Sequence, residues 1–256
     1  MKAALITLPM LLGLASWRGA GDTCDKGSGA GAPSAERERP AKRRAPVAVR
    51  AVAAGEICLT SGGGARSPRG RVQVDGPKMR AVAPSSSGDA GELRFLYRGP
   101  TAEVAPLASG QIRRQVGLKL RAQDGCNLVY AMWRIEPKPG IEVQIKRNRG
   151  RRVHSECGTR GYRKVSPQRQ APVPTLQPRS EHTLRAEITG QELAVWVDGA
   201  VVWEGDLGPE ALALSGPVGM RSDNVALEVE LLAGPSKQGG ALAKVAGRCA
   251  SVSDSD

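Results

Sequence analysis

Polar and charged side chains alternate with apolar ones along residues 127–136 and 141–146. Alternation with a period of two is typical of a strand that turns one face to a core, so the polar members share the opposite face. Those members are Tyr130, Arg134, Glu142, Gln144 and Lys146. Such a surface suits a sugar, whose hydroxyls need donors and acceptors and whose C–H face stacks on an aromatic ring. The pattern therefore predicts a ligand-binding surface made of these five residues.

Glu142 is the member of this set that could act as a general acid or base. Glycoside hydrolysis normally uses two carboxylates about 5–10 Å apart. The carboxylates closest in sequence that could be the second are Asp124, Glu136 and Glu156. A solvated strand face, on which Glu142 pairs with Lys146 or Arg134, accounts for the same residues without catalysis. Binding alone and hydrolysis through Glu142 are therefore both open, and the sequence does not decide whether the chain is an enzyme.

A strongly basic stretch follows the second of these segments. Residues 146–169 hold nine Lys and Arg against a single acid, Glu156. We predict that its centre is a polyanion-binding loop that docks phosphate or carboxylate groups, formed by Arg147, Arg149, Arg151 and Arg152. A mobile, solvated loop is the alternative. The whole chain carries a formal net charge of +12, which favours anionic partners without choosing among them.

Nucleic acid is disfavoured among those partners. Aromatic residues make up only 3% of the chain, whereas sequence-tolerant binding of single strands uses several stacked aromatic side chains. No segment has the pattern of a helix that could enter the major groove. Glycan, in particular anionic glycan, is the partner that the polar surface favours.

The cysteines predict one disulfide. The chain has five, Cys24, Cys58, Cys126, Cys157 and Cys249, and the odd number leaves at least one without an intrachain partner. We predict the pair Cys126–Cys157, because both lie inside the best-patterned region while the other three lie at its margins. Two free buried thiols are the alternative.

No cofactor and no metal site is expected from residue spacing. The chain has no CxxC motif and no Cys/His cluster at metal-ligand spacing. Four side chains could contribute oxygen ligands to calcium, namely Asp198, Asp206, Asp223 and Asn224, but their spacing matches no calcium loop.

The first residues predict export. Met1 and Lys2 precede a short apolar run that ends in the small residues Gly13 and Ala15, as in a secretory signal peptide, which we place within residues 1–20. The run is too short to cross a bilayer, which takes about 20 apolar residues, and no later stretch reaches that length. The expected location is periplasmic or extracellular.

Composition divides the remainder into three parts. Residues 21–69 are rich in Gly, Ala, Pro and Arg and show no apolar period, so they are predicted to be a flexible, disordered basic linker. Residues 70–234 carry the alternating pattern and are predicted to be the folded domain. Residues 235–256 are small and polar and are predicted to be a disordered tail.

The folded domain is predicted to be all-β and antiparallel. Its short alternating segments are separated by Gly- and Pro-containing turns, of which 137–140 and Asp198-Gly199 are the best hairpin signals. In one such segment Ile112, Val116, Leu118 and Leu120 are expected on one face and Arg113, Gln115, Lys119 and Arg121 on the other. Only 209–212 suggests a helical turn. The series favours a two-sheet sandwich or a barrel.

A resemblance to a known superfamily narrows this choice. Residues 181–188, Gly190, 193–199 and 215–223 resemble the C-terminal half of concanavalin A-like lectin/glucanase jelly rolls. Residues 127–134, 140–145 and 158–162 are similar to the middle of the keto-disaccharide hydrolase type. The likeness covers about 125–232. It departs from that type at Ile141, where an aromatic is usual, and at the basic residues 147–152. It implies an antiparallel two-sheet jelly-roll sandwich.

Three functions remain open on these grounds. The first is an exported carbohydrate-binding jelly roll, for anionic glycans in particular. The second is a glycoside hydrolase of the keto-disaccharide hydrolase type that uses Glu142. The third is a non-catalytic envelope scaffold that binds polyanions or protein through the basic loop.

Overall fold

The computed structural model describes residues 46–67 and 69–235, which form two antiparallel β-sheets packed face to face. The predicted signal peptide, most of the predicted linker and the predicted tail from residue 236 lie outside the described residues. The strands are β1 (Arg50–Ala51), β2 (Cys58–Gly62), β3 (Ala65–Arg66), β4 (Val72–Val74), β5 (Lys78–Ala83), β6 (Ser86–Pro100), β7 (Arg114–Asp124), β8 (Asn127–Glu136), β9 (Gly140–Lys146), β10 (Tyr162–Lys164), β11 (Arg169–Gln170), β12 (Ser180–Thr189), β13 (Glu192–Val197), β14 (Ala200–Asp206), β15 (Val218–Asp223) and β16 (Val225–Pro235).

Both sheets combine runs of consecutive strands with strands that are distant in sequence. Among the described residues, the nine-stranded sheet has the order β11-β14-β13-β12-β6-β16-β4-β3, with β1 also paired to β16. The seven-stranded sheet has the order β10-β9-β8-β7-β15-β5-β2. The fold is the predicted all-β, antiparallel jelly-roll sandwich.

The sandwich begins earlier in the chain than residue 70. Cys58–Gly62 pairs with β5, and Arg50–Ala51 pairs with β16. These residues fall in the predicted linker, whose Gly- and Ser-rich composition hides them. A short edge strand takes its hydrogen bonds from a strand already in place and therefore needs no long alternating pattern of its own.

The core lies between the sheets and follows the predicted alternation. Val129, Ala131 and Trp133 of β8 belong to it, and Trp133 packs edge-to-face on Phe95 with ring centres 5.8 Å apart. Ile112 was expected to share this face but is 59% exposed, because β7 begins only at Arg114. Burying such aliphatic and aromatic surface is the main stabilising contribution to the sandwich.

Turns and helices are short. Asp198 and Gly199 both have positive φ, 49° and 81°, as the predicted two-residue hairpin turn requires. Helix α2 (Pro209–Leu212) is the expected helical turn, whereas α1 (His154–Cys157) was missed because four residues cannot display a helical period. No helix in the described part of the chain is long and apolar enough to cross a membrane.

Candidate functional site

The outer face of the seven-stranded sheet carries three rows of side chains that run across its strands. Residues paired directly across an antiparallel ladder point to the same face, so the register defines each row. The first row runs from β9 to β5 and consists of Glu142, Met132, Gly117, Arg221 and Arg80. The second row also runs from β9 to β5 and consists of Gln144, Tyr130, Lys119, Gly219 and Val82. The third row runs from β8 to β5 and consists of Arg134, Gln115, Asp223 and Lys78.

Two loops rise beside these rows and enclose a cavity of about 270 Å³. One is the 101–113 loop between β6 and β7, which contributes Leu107 to Ser109, Gln111 and Arg113 to the lining. The other is residues 147–161 between β9 and β10, which we call the basic loop; it contributes His154, Gly158 and Thr159. The sheet supplies the floor and the basic loop one wall.

Gly117 lies at the centre of the first row, between Met132 and Arg221. A Cβ atom there would meet the Ala131 carbonyl oxygen and would lie 2.7 Å from the Met132 Cα. Both obstacles belong to the neighbouring backbone, which a change of rotamer cannot move. The position therefore admits only glycine without a shift of β7 against β8.

The structure brings together three of the five residues of the predicted ligand surface. Tyr130, Glu142 and Gln144 line the cavity. Arg134 lies behind Glu142, bonded to its Oε2 at 2.7 Å and to the Pro137 carbonyl at 2.9 Å. Lys146 is fully buried, and its Nζ lies 2.8 Å from the Gly125 carbonyl oxygen and 3.0 Å from His154 Nδ1. The Lys146 side chain points to the predicted face of the sheet, but the basic loop covers it.

Glu142 is held by arginines from two directions. Arg113 Nη1 donates to Oε1 at 2.9 Å and Arg134 Nη1 donates to Oε2 at 2.7 Å. Gln144 Nε2 adds a bond to Oε1 at 3.0 Å, and the side chain is buried. Both carboxylate oxygens thus already accept charge-assisted hydrogen bonds.

A second carboxylate lies beneath the cavity in a matching arrangement. Asp223 accepts bonds from Arg221 Nε at 2.8 Å, Arg80 Nη2 at 3.1 Å and Gln115 Nε2 at 2.7 Å. Burial alone would raise the pKa of Asp223, but the attraction of Arg221 and Arg80 outweighs burial and lowers the pKa below its ordinary value. Asp223 therefore stays ionised and fixes both guanidinium groups at the cavity.

Gln115 has an open acceptor. Its Nε2 donates to Asp223, which as a carboxylate can only accept, and this fixes the orientation of the amide. Its Oε1 is buried and accepts no hydrogen bond in the structure, although the residue is only 3% exposed and lines the cavity. Buried polar atoms normally have a partner, so among the described residues this oxygen is an unsatisfied acceptor beneath the cavity.

The aromatic component differs from the prediction. Tyr130 is only 4% exposed, so its ring offers no open stacking face. It stacks on Tyr162 at a centroid distance of 6.2 Å, and the Arg221 guanidinium carbon lies 5.2 Å from its ring centre. Burial raises the pKa of the Tyr162 hydroxyl, and the neighbouring Tyr130 adds to the shift. The two tyrosines form a rigid wall that supports Arg221.

The charge of the lining is positive. Four cationic side chains, Lys78, Arg80, Arg113 and Arg221, line the cavity against one carboxylate, Glu142, among the described lining residues. Asp223 beneath them offsets one further charge. The candidates for a second catalytic carboxylate lie elsewhere: Asp124 binds the Cys126 amide, Glu136 pairs with Arg114, and Glu156 binds the amides of the basic loop.

Four of these lining residues were not in the predicted set. Gln115 and Arg113 were expected on the outer side of β7, but no local signal places β7, β15 and β5 next to one another. Arg80 and Arg221 come from β5 and β15, which are more than 130 residues apart in the chain and pair directly. Such pairing is set by the fold as a whole, so the sequence of neither segment predicts it.

The basic loop is tied to the sheet at several points. The predicted disulfide Cys126–Cys157 is present, and Cys58 is also disulfide-bonded. Asn127 accepts a bond from the Asn148 amide at 2.9 Å and donates to the Arg151 carbonyl at 2.8 Å. These contacts hold the loop against the sheet.

The residues considered for calcium do not converge. Asp198 lies in the turn before β14, Asp206 lies at the far end of β14, and Asp223 lies in the other sheet between two arginines. Across residues 46–67 and 69–235, no three His, Cys, Asp or Glu side chains are grouped as a metal site would require.

Comparison with known proteins gives similarity of fold only. No protein-family model matches the chain, and no curated protein matches it in sequence. Among solved structures, the carbohydrate-binding module CBM66 from Bacillus subtilis is similar at a TM-score of 0.48 and 14% identity, covering 68% of this chain and 91% of that one. A tetrameric galectin from the ball sponge Cinachyrella sp. has a TM-score of 0.39 and 15% identity, covering 62% and 100%. The Crh5 transglycosylase in complex with NAG has a TM-score of 0.43 and 13% identity, covering 74% and 84%. None of these three is a keto-disaccharide hydrolase, and likeness at this level carries no conclusion about ligand or activity.

Proposed function

We propose that the chain is a carbohydrate-binding jelly roll whose cavity on the outer face of the seven-stranded sheet takes an acidic saccharide. The observation that carries the proposal is the surplus of cationic side chains that line this cavity. A carboxylate or sulfate satisfies these cations, and the polar side chains beside them suit the hydroxyls of a sugar. Acidic sugars carry both kinds of group within one ring.

Within this proposal, each lining group has a role. Arg221 and Arg80 bind the acid group. Asp223 already holds their guanidinium groups in place, so little side-chain entropy is lost when the ligand binds. Gln115 and Gln144 bind hydroxyls. Lys78, which pairs with none of the described carboxylates, contributes an uncompensated charge at the rim.

Catalysis through Glu142 finds no support in this geometry. A general acid must hold a proton, whereas both Glu142 oxygens accept bonds from guanidinium groups. No other described lining residue has a carboxylate to serve as the second group. We therefore assign Glu142 to positioning Arg113 rather than to hydrolysis.

Export is part of the proposal. The disulfide Cys126–Cys157 supports it, because such bonds persist in oxidising compartments outside the cytosol. An acidic polysaccharide of a cell surface or matrix is the kind of ligand that a protein in that location meets.

A glycan array probed with the full-length protein tests the proposal. We expect signals on glycans with uronic acid, sialic acid or sulfated residues and no signals on their neutral counterparts. Binding confined to neutral glycans, or no binding at physiological salt, would overturn it.

A further inference from the structure

The basic loop carries positive charge that the structure leaves uncompensated. Its five arginines, Arg147, Arg149, Arg151, Arg152 and Arg160, form no salt bridge with any described Asp or Glu. Arginines elsewhere in the sandwich are commonly paired, as Arg121 is with Asp89 and Arg114 with Glu136. Like charges held close together repel, so their concentration on one loop opposes the compact state.

The one acid of the loop relieves this repulsion only in part. Glu156 Oε2 accepts bonds from the backbone amides of Arg152 at 3.0 Å and Val153 at 3.3 Å. These backbone hydrogen bonds lower the pKa of Glu156. Arg151 and Arg160 reach only the Glu156 carbonyl oxygen, not its carboxylate. The carboxylate therefore mainly shapes the loop, and its weaker attraction to Arg151 offsets one of the five positive charges in part.

The loop presents these arginines on a fixed frame. Asn148 Nδ2 donates to the carbonyls of Cys126 at 3.2 Å and Arg160 at 3.0 Å, which closes the two ends of the loop on each other. The disulfide at Cys157 fastens its C-terminal part to the end of the β7–β8 turn. A preorganised array of cations loses less conformational entropy on binding than a mobile one.

The same loop forms one wall of the cavity. His154, Gly158 and Thr159 line it, and Arg160 follows directly in the chain. The loop that carries the arginines therefore borders the cavity.

We infer that the ligand is a chain rather than a single sugar: an anionic polysaccharide that occupies the cavity with one segment and crosses the basic loop with the next. This inference rests on the proposed function, which supplies the segment in the cavity. The loop then adds affinity in proportion to the number of acidic residues that reach it, because each further contact within one bound chain is intramolecular. The loop contacts are exposed and hence screened by salt, whereas the cavity contacts are buried and screened less.

Titration calorimetry with the full-length protein and acidic oligosaccharides of defined length tests this inference. The probes are oligogalacturonates and heparin-type sulfated oligosaccharides, each as disaccharide and octasaccharide. In the series that binds, we expect the octasaccharide to bind about 10-fold more tightly than the disaccharide at low salt, and this advantage to shrink at physiological salt.

A charge-neutralised loop isolates its contribution. Arg147, Arg149 and Arg152 make no side-chain hydrogen bonds within the described structure, so their triple change to Gln should leave the loop intact. We expect it to weaken octasaccharide binding by about 10-fold and disaccharide binding by less than about 2-fold. The matched control replaces Arg69, Arg94 and Arg169 by Gln, which removes the same charge from the nine-stranded side and should alter neither affinity.

The outcomes separate the two proposals. Equal affinity for disaccharide and octasaccharide, or no effect of the loop variant, would overturn the chain inference and leave the cavity site standing. Failure of every probe to bind would overturn the proposed function itself. Single-stranded DNA of matched charge that binds as tightly as the octasaccharide would contradict a saccharide chain as the partner.

Discussion

Arg221 donates from its Nε to Asp223 Oδ2 at 2.8 Å while its guanidinium carbon lies 5.2 Å from the centre of the Tyr130 ring. One arginine thus joins the buried carboxylate to the aromatic wall of the cavity. Burial alone would lower the pKa of Arg221, but Asp223 and the two neighbouring tyrosines outweigh it and raise the pKa. The guanidinium group is permanently charged and held in one place, as recognition of an anion requires.

Replacing Asp223 by Asn should destabilise the protein strongly. The change leaves Arg80 and Arg221 buried without their shared counter-charge, and breaking a buried pair in this way costs about 3–5 kcal/mol. Urea denaturation at neutral pH measures the loss. Asp75→Asn, which removes an exposed carboxylate paired with Arg98, is the control and should cost less than about 1 kcal/mol.

The same carboxylate predicts a dependence of stability on pH. The pKa of Asp223 is lower in the folded protein than its ordinary value of 3.8. Its stabilising contribution is therefore complete above that value and is lost as the pH falls below it toward the folded-state pKa. Denaturation curves of the wild type and Asp223→Asn should converge as the solution is acidified. A difference that stays constant into that range would contradict the assignment.

The sequence predicts correctly which side chains of β8 and β9 point to the core. These two strands are consecutive in the chain, and apolar and polar residues alternate regularly along both. Residues 129, 131 and 133 point to the core, and Tyr130 and Glu142 point away from it, as expected. The exposure of Tyr130 could not be predicted, because it depends on Tyr162, which the basic loop brings over it. An alternating pattern predicts the face of the sheet to which a side chain points, but it does not predict whether another residue covers that side chain.

The residues that β5, β7 and β15 contribute to the cavity could not be predicted from the sequence either. Arg80, Arg221 and Gln115 lie on three strands whose adjacency follows from the jelly-roll crossover connections. Short edge strands such as β1 to β3 were missed because their pairing depends on partners elsewhere in the chain. A local alternating pattern predicts that a segment forms a strand, but it does not predict which strands pair with that segment.

Gly117→Ala should reduce both stability and binding. The added methyl group meets the backbone of Ala131 and Met132, so β7 must shift away from β8. Overpacking of this kind costs about 1–3 kcal/mol. Thermal unfolding and calorimetry with the acidic saccharide selected on the array measure the two effects. Gly63→Ala, at a position where a Cβ meets nothing within 4 Å, should change neither.

Asn224 should prove to be the anchor of the 101–113 loop. Its buried side chain donates to the carbonyls of Ala105 and Arg113, both at 2.9 Å, and accepts from the Ala105 amide at 2.8 Å. Because its φ is 56°, Asn224→Gly removes these bonds without straining the backbone. We expect faster amide hydrogen exchange in residues 101–113 and weaker saccharide binding.

The control for this variant is Lys138→Gly. Lys138 also has positive φ, 62°, but its exposed side chain lies in the turn between β8 and β9. Its exchange pattern should match that of the wild type. Unchanged exchange in Asn224→Gly would show that the loop is held by other contacts.

Glu142→Gln distinguishes binding from hydrolysis. The change preserves shape and one acceptor but removes a negative charge from the lining, so we expect affinity for an acidic saccharide to rise several-fold. Because Arg113 and Arg134 lose their shared counter-charge, we also expect the protein to become less stable, as for Asp223→Asn. Glu136→Gln removes the same charge from an exposed pair with Arg114 and serves as the control. Wild-type cleavage of a glycan that Glu142→Gln abolishes would support the hydrolase alternative instead.

The most direct test of the cavity as an acid-binding site is calorimetry of wild type and Lys78→Gln with one acidic saccharide and its neutral counterpart. Lys78 lines the cavity without a described salt-bridge partner, so the change removes a charge and should leave the fold intact. We expect roughly 3–10-fold weaker binding of the acidic sugar, no change for the neutral one, and no effect of the control Arg94→Gln. Equal affinity of the wild type for both sugars, or an unaltered Lys78→Gln, would contradict the assignment.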